Sequence, residues 1–279
     1  IMISAKIIAD SLSPQGVRLT SYELVFPRII LAEFNTHRAF SRNSASSRAI
    51  PFAKMIESIE EDTFVPIAWI KKHKGMQGFE YFEEVADIKV CTDLWLAGRD
   101  AAMKYARMLD SMGVTKQFTN RMLEPYMWHK VIMTSSKEGL DNFFALRAHK
   151  DAEIHIQELA YAMQNALNAS TPEPLDQREW HIPYVKDMSN LTLEDKLKVA
   201  TARCARVSYT TVGQDGRVKD TADNVYKYQS GTTQPLYSDF GKTIYGYYDL
   251  NTSDNILVQN RYKMFAGNVS LPQTGVFTI

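Results

Sequence analysis

Residues 18–26 read RLTSYELVF, a run of β-branched and aromatic residues that is typical of a β-strand. A shorter apolar run, KIIA at residues 6–9, predicts a second strand. The turn-forming residues SPQG at 13–16 separate the two runs. The first 26 residues therefore predict β structure.

Helical signals begin directly after this β region. Pro27 can start a helix, because its missing N–H is not needed in the first turn, and that helix would run to about His37. A polar loop is predicted at 41–47, and Pro51 begins another short helix. The remaining pattern predicts a strand at 126–134 and helices at 140–148, 151–169 and 192–209, the last capped by Thr192 with Asp195 three residues on.

The longest helix is predicted at 82–112, where Gly113 ends it. Its apolar residues recur every three or four positions and indicate one buried face: Val85, Ile88, Cys91, Trp95, Ala102, Ala106 and Leu109. No stretch resembles a linker. We therefore predict one α+β domain over 1–279, with a mixed or antiparallel sheet and several long helices.

Composition narrows the possible function classes. The chain has 279 residues, 45% hydrophobic and 23% charged, which is ordinary for a soluble globular protein. Its 32 basic and 32 acidic side chains balance, so a general nucleic-acid-coating role is not expected and any anion must meet a local basic cluster. Two cysteines exclude a disulfide scaffold and a four-thiolate zinc site.

No membrane association is expected either. The longest apolar runs are far too short to cross a bilayer. Residues 1–10 have no basic region followed by a long apolar core, as a signal peptide would. We expect a cytoplasmic location.

A local basic cluster does occur at residues 28–48. This segment contains four arginines and one glutamate, a net charge of +3 in a neutral protein. Arginine mixed with serine and asparagine offers forked guanidinium groups and short donors, which suit phosphate oxygens. A solvated basic surface loop has the same composition, so the segment by itself leaves both interpretations open.

A second segment, residues 142–155, contains Arg147 directly after an apolar helical stretch. Such a guanidinium either extends to solvent or is buried against an anion or a polar ring. His149, Glu153 and His155 suggest a metal site, but on a helix residue 155 is about 200° away from residue 149, so the three side chains do not converge.

Two further segments are less distinctive. Residues 116–125 form a connection with cations and amides, and residues 201–209 carry small residues that allow close helix packing. Residues 240–243 end like a phosphate loop, but Leu236 stands where its first glycine belongs. Cys91 and Cys204 are interpreted as core thiols.

Taken together, these segments resemble the flavin-dependent thymidylate synthase family. The family's Arg-His-Arg and Ser-x-Asn-Glu-x-Ser-x-Arg motifs match residues 36–38 and 41–48 in spacing. Its Asn-Phe-x-x-Leu-Arg motif matches residues 142–147, and its arginine ahead of Leu-Pro matches Arg121. Its Ala-Arg-Val-Ser-aromatic motif is present at 205–209, after the other motifs rather than before them. We interpret this order as a circular permutation in which residues 201–279 correspond to the family's N-terminal part.

The resemblance implies a set of roles. Arg147 is expected to face the pyrimidine ring and to polarise it, which makes it the predicted catalytic residue. The predicted FAD-binding residues are His37, Arg38, Asn43, Asn142 and Ser208. The predicted substrate-binding residues are Glu33, Ser44, Ser46, Arg48, Arg121 and Arg147.

The same resemblance implies an activity and partners. The expected reaction is transfer of a one-carbon unit from methylenetetrahydrofolate to C5 of a pyrimidine deoxynucleotide monophosphate. FAD and NADPH take part, by default dUMP becomes dTMP, and the enzyme is a homotetramer. Neither nucleic acid nor membrane is an expected partner, and no metal is expected.

Several residues depart from the family pattern. Thr36 replaces the first arginine, Ser44 replaces a glutamate, Glu33 replaces a glutamine, and Ser238 stands where a histidine is expected. These positions lie on the base and folate side rather than among the phosphate ligands. A hydroxymethylated product, a dCMP substrate, or a flavin- and nucleotide-binding protein without turnover therefore remain as alternatives.

Overall fold

The computed structural model describes residues 2–75, 78–176, 179–185, 189–205, 207 and 248–249. Within these residues the fold is α+β. A five-stranded mixed sheet in the order β3-β4-β2-β1-β5 forms its centre. The strands are β1 (Ser4–Leu12), β2 (Arg18–Pro27), β3 (Ser41–Ser44), β4 (Trp128–Ser136) and β5 (Glu173–Pro174). A separate two-stranded pairing joins β6 (Trp180–His181) to β7 (Tyr248–Asp249).

The two strands predicted at the start of the chain are confirmed. β1 and β2 pair antiparallel, with a register shift between Ile7 and Ala9. Gly16 in the connecting turn has φ of +82°, a conformation that glycine adopts without steric cost. The Ser13 hydroxyl accepts the Val17 N–H and closes the turn.

Helices lie around the sheet and between its strands. The α-helices are α1 (Leu31–Phe34), α2 (Phe52–Glu61), α3 (Val85–Ser111), α4 (Lys116–Thr119), α5 (Lys137–Arg147), α6 (Ile154–Ala169) and α7 (Leu193–Ala205). Two 3₁₀ segments, η1 (Arg28–Ile30) and η2 (Asn120–Tyr126), precede α1 and β4. No helix in the described ranges is both long enough and apolar enough to cross a bilayer.

The main core lies between the sheet and the helices α5 and α6. Alternate residues of β2 and β4 point to the same side, and helix residues cover them. The buried members include Tyr22, Leu24, Phe26, Val131, Met133, Phe143, Ile156, Leu159 and Met163. A second, smaller cluster joins α2, the C-terminal half of α3 and η2 through Met55, Ile59, Met103, Ala106 and Leu123.

Some expected elements differ from the observed ones. The helix expected from Pro27 to His37 is only η1 followed by the single turn of α1, and Pro27 ends β2 instead. The polar loop expected at 41–47 begins with β3, because residues 41–44 pair with β4 in spite of their polarity. The strand expected from residue 126 begins at Trp128, after η2.

The long helix is confirmed, but its expected buried face is wrong in its first half. Among those apolar positions Ala106 is fully buried, whereas Val85 is 80% exposed. The reason is that only the C-terminal half of α3 packs against α2 and η2. In the N-terminal half of α3, Trp95 donates from Nε1 to the Phe64 carbonyl at 2.8 Å. The segment before the helix therefore covers this half only partly.

The helix expected at 192–209 is observed as α7. The Thr192 hydroxyl accepts the Asp195 N–H at 3.2 Å, as the cap prediction required. Cys204 is buried, as expected of a core thiol, whereas Cys91 is only half-buried. The motif residues Arg206 and Ser208, and Ser238 where the family has a histidine, lie outside the described residues.

Candidate active site

The C-terminus of α5 places Arg147 at the edge of the main core. Ser136 begins this helix by accepting the Gly139 N–H, and Phe143 packs in the core one turn before Arg147. Residues four apart share a helix face, so Arg147 lies on the same side of α5 as the buried ring of Phe143. It remains 21% exposed. A cation at this end also interacts favourably with the helix dipole.

Two side chains from the segment after β2 hold this guanidinium. The Nε of Arg147 donates to Nε2 of His37 at 2.9 Å. Its Nη1 donates to Oε1 of Glu33 and forms an ion pair with it. Arg147, at the end of the 142–147 motif, thus contacts His37 of the 36–38 motif directly.

His37 is buried and neutral at physiological pH. Its ring packs edge-on against Phe143, with ring centroids 4.7 Å apart. Burial, together with the positive charges of Arg147 and Arg42, lowers the pKa of His37 to about 4. Because Nε2 accepts a hydrogen bond, the ring proton must lie on Nδ1.

Opposing effects act on the pKa of the Glu33 carboxyl. Burial raises the pKa of its carboxyl above the ordinary value, and the nearby Glu153 adds to the shift, while Arg147 opposes it. The net direction is upward. This carboxyl can therefore take up a proton more readily than a solvated glutamate can.

Arg42, for which no role was predicted, fixes the loop that contains His37. Its Nη1 donates to the carbonyls of His37 and Phe40 at 3.2 and 2.9 Å. Its Nε and Nη2 donate to the side-chain and backbone oxygens of Asn35 at 2.6 and 2.8 Å. The arginine-rich composition of the segment was the signal, but it does not distinguish a ligand-binding arginine from one that holds a loop together.

A groove of about 440 Å³ lies beside this loop. Arg28 donates to both carboxylate oxygens of Glu124 at 3.2 Å on its wall, and Ser47 donates to the same carboxylate at 2.6 Å. The groove is lined by Arg28, Ile29, Leu31, Ala32, Asn35, Arg121, Glu124 and Pro125.

Contacts with η2 attach the loop of two predicted phosphate-binding residues to the segment that contains the third, Arg121, which lines this groove. Asn120 donates to the carbonyls of Ser47 and Ile50 at 2.7 and 2.9 Å. The loop that contains Ser46 and Arg48 is therefore attached to the 3₁₀ segment that contains Arg121.

Asn35 connects the groove to the Arg147 cluster. It lines the groove and accepts from Arg42, which donates to the His37 backbone. His37 in turn accepts from Arg147. The groove and the Arg147 cluster are therefore adjacent, and hydrogen bonds link them.

The other predicted residues lie around this region. Arg38, Asn142, Arg48 and Arg121 are exposed, and in the described part of the chain no hydrogen bond or ion pair links the three arginines to Arg147. Asn43 donates to the Cys204 carbonyl at 2.9 Å and so contacts the end of α7, next to the third motif. Ser44 lies opposite Val131 in the β3–β4 pair.

His155 has a structural role. Its Nδ1 lies 2.5 Å from Oε1 of Glu153, and its Nε2 accepts the Ile67 N–H at 3.1 Å. Both ring nitrogens are therefore used inside the fold. The described residues contain no group of three or more His, Cys, Asp or Glu side chains that could hold a metal ion.

A groove of about 540 Å³ lies along the opposite edge of the sheet, where Asp10, Ser170 and Trp180 line it. None of the predicted site residues that the structure describes lies there. The candidate site is therefore the Arg147 cluster with the neighbouring Arg121 groove.

Comparisons with known proteins bear on the family. A family model described as thymidylate synthase complementing protein matches residues 15–173. No curated protein sequence gives a significant match. A solved structure of a UMP/dUMP methylase, PolB from Streptomyces cacaoi bound with 5-Br dUMP, is similar with a TM-score of 0.43 and 16% identity. The similarity covers 54% of this chain and 65% of that one.

The matched range contains every predicted site residue except Ser208. It also confirms the family resemblance that was drawn from the motifs. Because the family model matches more than half of the sequence, the chain belongs to the thymidylate synthase complementing protein family.

Proposed function

We propose that this protein is an FAD-dependent enzyme that transfers a one-carbon unit from methylenetetrahydrofolate to C5 of a pyrimidine deoxynucleotide monophosphate. Conversion of dUMP to dTMP is the default reaction, with NADPH as the reductant. The observation that carries the proposal is the Arg147 guanidinium, partly buried and held by His37 and Glu33 inside the family-matched region.

Arg147 is the residue that fits the chemical step. C5 becomes nucleophilic when the pyrimidine ring takes on enolate-like character, with negative charge on its ring oxygens, and a fixed guanidinium stabilises that charge. The contacts with His37 and Glu33 use two of its five N–H groups. The other three have no partner among the described residues and are available to ring oxygens or nitrogens. No cysteine nucleophile is needed in this scheme, which agrees with the burial of Cys204.

The residues proposed for FAD have suitable chemistry. Arg38 is an exposed guanidinium without a partner in the described residues, and Asn142 presents an exposed amide on α5. Such donors suit the diphosphate and ring edges of a dinucleotide. When bound, the reduced flavin supplies the hydride that completes a methyl group. His37 keeps Arg147 in place, and Asn43 and Ser208 complete the proposed set.

The nucleotide phosphate is proposed to bind at the groove beside η2. Arg121 lines this groove, and Ser46 and Arg48, on the loop attached to η2, are proposed to add a hydroxyl and a second guanidinium. Arg28 is partly buried and paired with Glu124 in the same lining, so Arg121 supplies the groove's net positive charge. A phosphate bound at this end directs its base towards the neighbouring Arg147 cluster.

Glu33 bears on which pyrimidine base the enzyme accepts. A carboxylate accepts from N3–H of uracil as well as from the 4-amino group of cytosine. Its pairing with Arg147 places an acceptor beside a donor at the proposed base position. The pair fits either base, so the second candidate, a dCMP substrate or a hydroxymethylated product, is motivated by the altered positions Glu33 and Ser44 themselves.

The proposed setting is a cytoplasmic homotetramer. The family resemblance supports this assembly, in which sites are built across subunits. Exposed Arg38, Arg48 and Asn142 are in accord with ligands that are enclosed only in the assembled enzyme.

The test is an anaerobic assay of the full chain with methylenetetrahydrofolate, NADPH and FAD, run in parallel with dUMP and dCMP. Mass analysis of the nucleotide identifies the product. A dTMP product supports the default reaction, and a cytosine or hydroxymethyl product supports the second candidate. A protein that stays colourless with FAD, or NADPH oxidation that no pyrimidine nucleotide changes, would overturn the enzyme proposal.

A further inference from the structure

A carboxylate of the chain itself, that of Glu124, lies on the basic wall of the Arg121 groove. Nη2 of Arg28 donates to both of its oxygens at 3.2 Å, and the Ser47 hydroxyl donates to Oε1 at 2.6 Å. One anion thus receives hydrogen bonds from a guanidinium and from a serine. Phosphate oxygens accept from the same two kinds of donor.

The 3₁₀ form of η2 places a second guanidinium on the same side as this carboxylate. With three residues per turn, side chains three positions apart eclipse each other, so Arg121 and Glu124 share one face of η2. Both line the groove together with Arg28. Within the described ranges the Arg121 side chain takes part in no hydrogen bond or ion pair. The groove therefore has two arginines and one glutamate, a net charge of +1.

The pairing of Arg28 with Glu124 leaves donors unused. The strongest guanidinium–carboxylate pairs use two nitrogens at about 2.7–2.9 Å, whereas Arg28 reaches the carboxylate through Nη2 alone, at 3.2 Å. Its Nε and Nη1 have no partner in the described part of the chain. The two side chains are 24% and 23% exposed, so an anion from solvent can reach them.

The main chain, and not this side-chain pair, connects η1 to η2. The backbone N–H of Arg28 donates to the Met127 carbonyl at 3.0 Å, and the Met127 N–H donates to the Glu124 carbonyl at 3.3 Å. The neighbouring Leu123 and Met127 side chains are buried and hold this end of η2 in place. The side-chain bonds of Arg28 and Glu124 can therefore exchange while the two elements stay together.

We propose that Arg28 and Ser47 form a phosphate subsite, which the Glu124 carboxylate occupies until the 5′-phosphate of a nucleotide displaces it. The inference rests on the proposed nucleotide site and adds an internal competitor to it. On binding, the guanidinium and the hydroxyl transfer their hydrogen bonds to phosphate oxygens, and Glu124 turns to solvent. No covalent bond or proton is exchanged.

The chemistry of the two anions favours this exchange. A phosphate monoester offers three acceptor oxygens and about two negative charges, whereas a carboxylate offers two oxygens and one charge. A ligand with only a carboxylate would replace Glu124 by an equivalent group and gain little. The subsite is therefore selective for phosphate. Glu124 stands between Leu123 and Pro125, where it interrupts the Leu-Pro pair of the family motif, so the competitor is a feature of this sequence.

Equilibrium binding of radiolabelled inorganic phosphate, dUMP and deoxyuridine to the full chain tests the exchange. Glu124→Gln keeps the size of the side chain but removes the competing charge, so it should tighten binding of phosphate and dUMP by about tenfold or more. Deoxyuridine has no phosphate and should bind equally to both proteins. Glu60→Gln removes a carboxylate from the exposed pair with Arg107 and is the matched control, with no change expected.

A double-mutant cycle separates exchange at Arg28 from a general effect of charge. In the Arg28→Ala background, Glu124→Gln should no longer tighten phosphate binding, because the guanidinium that it would release is absent. An equal gain with and without Arg28 would indicate charge repulsion alone and would overturn the proposal.

The remaining outcomes are equally decisive. Thermal unfolding of each variant reports on the fold. A large loss of stability in Glu124→Gln, or phosphate binding that stays the same or weakens, would assign the carboxylate to holding the structure and refute the exchange. A gain with inorganic phosphate but none with dUMP would overturn the assignment to a nucleotide. Failure of the proposed reaction is a separate result, since phosphate binding requires neither flavin nor turnover.

Discussion

The side chains of Arg147 and His37 are 110 positions apart in the sequence, yet Nε of the first donates to Nε2 of the second at 2.9 Å. This bond requires a neutral imidazole, because a protonated ring has no free acceptor. Burial and the adjacent guanidinium groups keep His37 neutral by lowering its pKa to about 4. The hydrogen bond that positions Arg147 is therefore present at neutral pH. Only in acid does protonation of His37 remove its acceptor.

Removal of the guanidinium should abolish most turnover. We expect Arg147→Ala to retain bound flavin and to lower kcat by about 10²-fold or more, as loss of one preorganised charge does. Steady-state kinetics and the flavin absorbance spectrum measure the two effects. Arg107→Ala, which removes an exposed arginine paired with Glu60, is the control and should leave both unchanged. Unaltered turnover in Arg147→Ala would contradict the proposed role.

Neutralising Glu33 should change the preference between bases. Glu33→Gln keeps an acceptor oxygen but adds a donor and removes the charge paired with Arg147. We expect the ratio of kcat/KM for dUMP to that for dCMP to change by about tenfold or more, since one polar contact to a base contributes roughly that much discrimination. Equal kcat/KM losses with both nucleotides would show that Glu33 positions Arg147 without contacting the base.

Acid should destabilise the fold before the carboxylates are protonated. Burial lowers the pKa of His129 and of His181 to about 3, and that of His37 to about 4. Between these values and about 6.5 the unfolded chain binds more protons than the folded one. The free energy of unfolding is therefore complete above pH 6.5 and falls as pH decreases towards 4 and below.

Denaturant unfolding at pH 7.5, 6, 5 and 4 measures this dependence. His129 offers a sharp variant, because both of its buried ring nitrogens lack a hydrogen-bond partner while its ring packs against Phe26. His129→Phe should raise the free energy of unfolding by about 1 kcal/mol at neutral pH, since it removes unsatisfied polar atoms. It should also reduce the loss in acid. A pH profile identical to that of the unaltered chain would refute this assignment.

A partly buried ion pair should stabilise the sheet and its attachment to α6. Arg18 donates to both carboxylate oxygens of Asp10 at 3.0 and 2.7 Å and also to the Ser170 carbonyl at 3.2 Å. Burial alone would raise the pKa of Asp10, but the bonds from Arg18, Ser170 and Thr20 hold it below its usual value.

Asp10→Asn leaves Arg18 without its charge partner. We expect a loss of about 3 kcal/mol in the free energy of unfolding, the usual cost of breaking a buried pair from one side. Lys89→Ala removes only an exposed pair and should cost less than about 0.5 kcal/mol. The stabilisation by Asp10 is present above its ordinary pKa and declines as pH falls below it, so the difference between Asp10→Asn and the unaltered chain should shrink in strong acid.

The sequence by itself determined the local elements and the family. Strand propensity identified β1 and β2, Pro51 and Thr192 marked helix starts, and the apolar helical stretch before Arg147 predicted the helix observed as α5. These features depend on residues a few positions apart, and backbone propensity, capping and periodicity act over that range.

Only the tertiary structure decided the contacts that make the site. The pairing of Arg147 with Glu33 and His37, the use of Arg42 to fix its loop, and the placement of Asn43 against the end of α7 join residues distant in the chain. The exposure of apolar residues on α3 such as Leu94 and Met112 is of the same kind, since periodicity reveals apolar positions but not what covers them. Such contacts follow from the strand order β3-β4-β2-β1-β5 and from how helices pack on that sheet, and no local sequence signal encodes either.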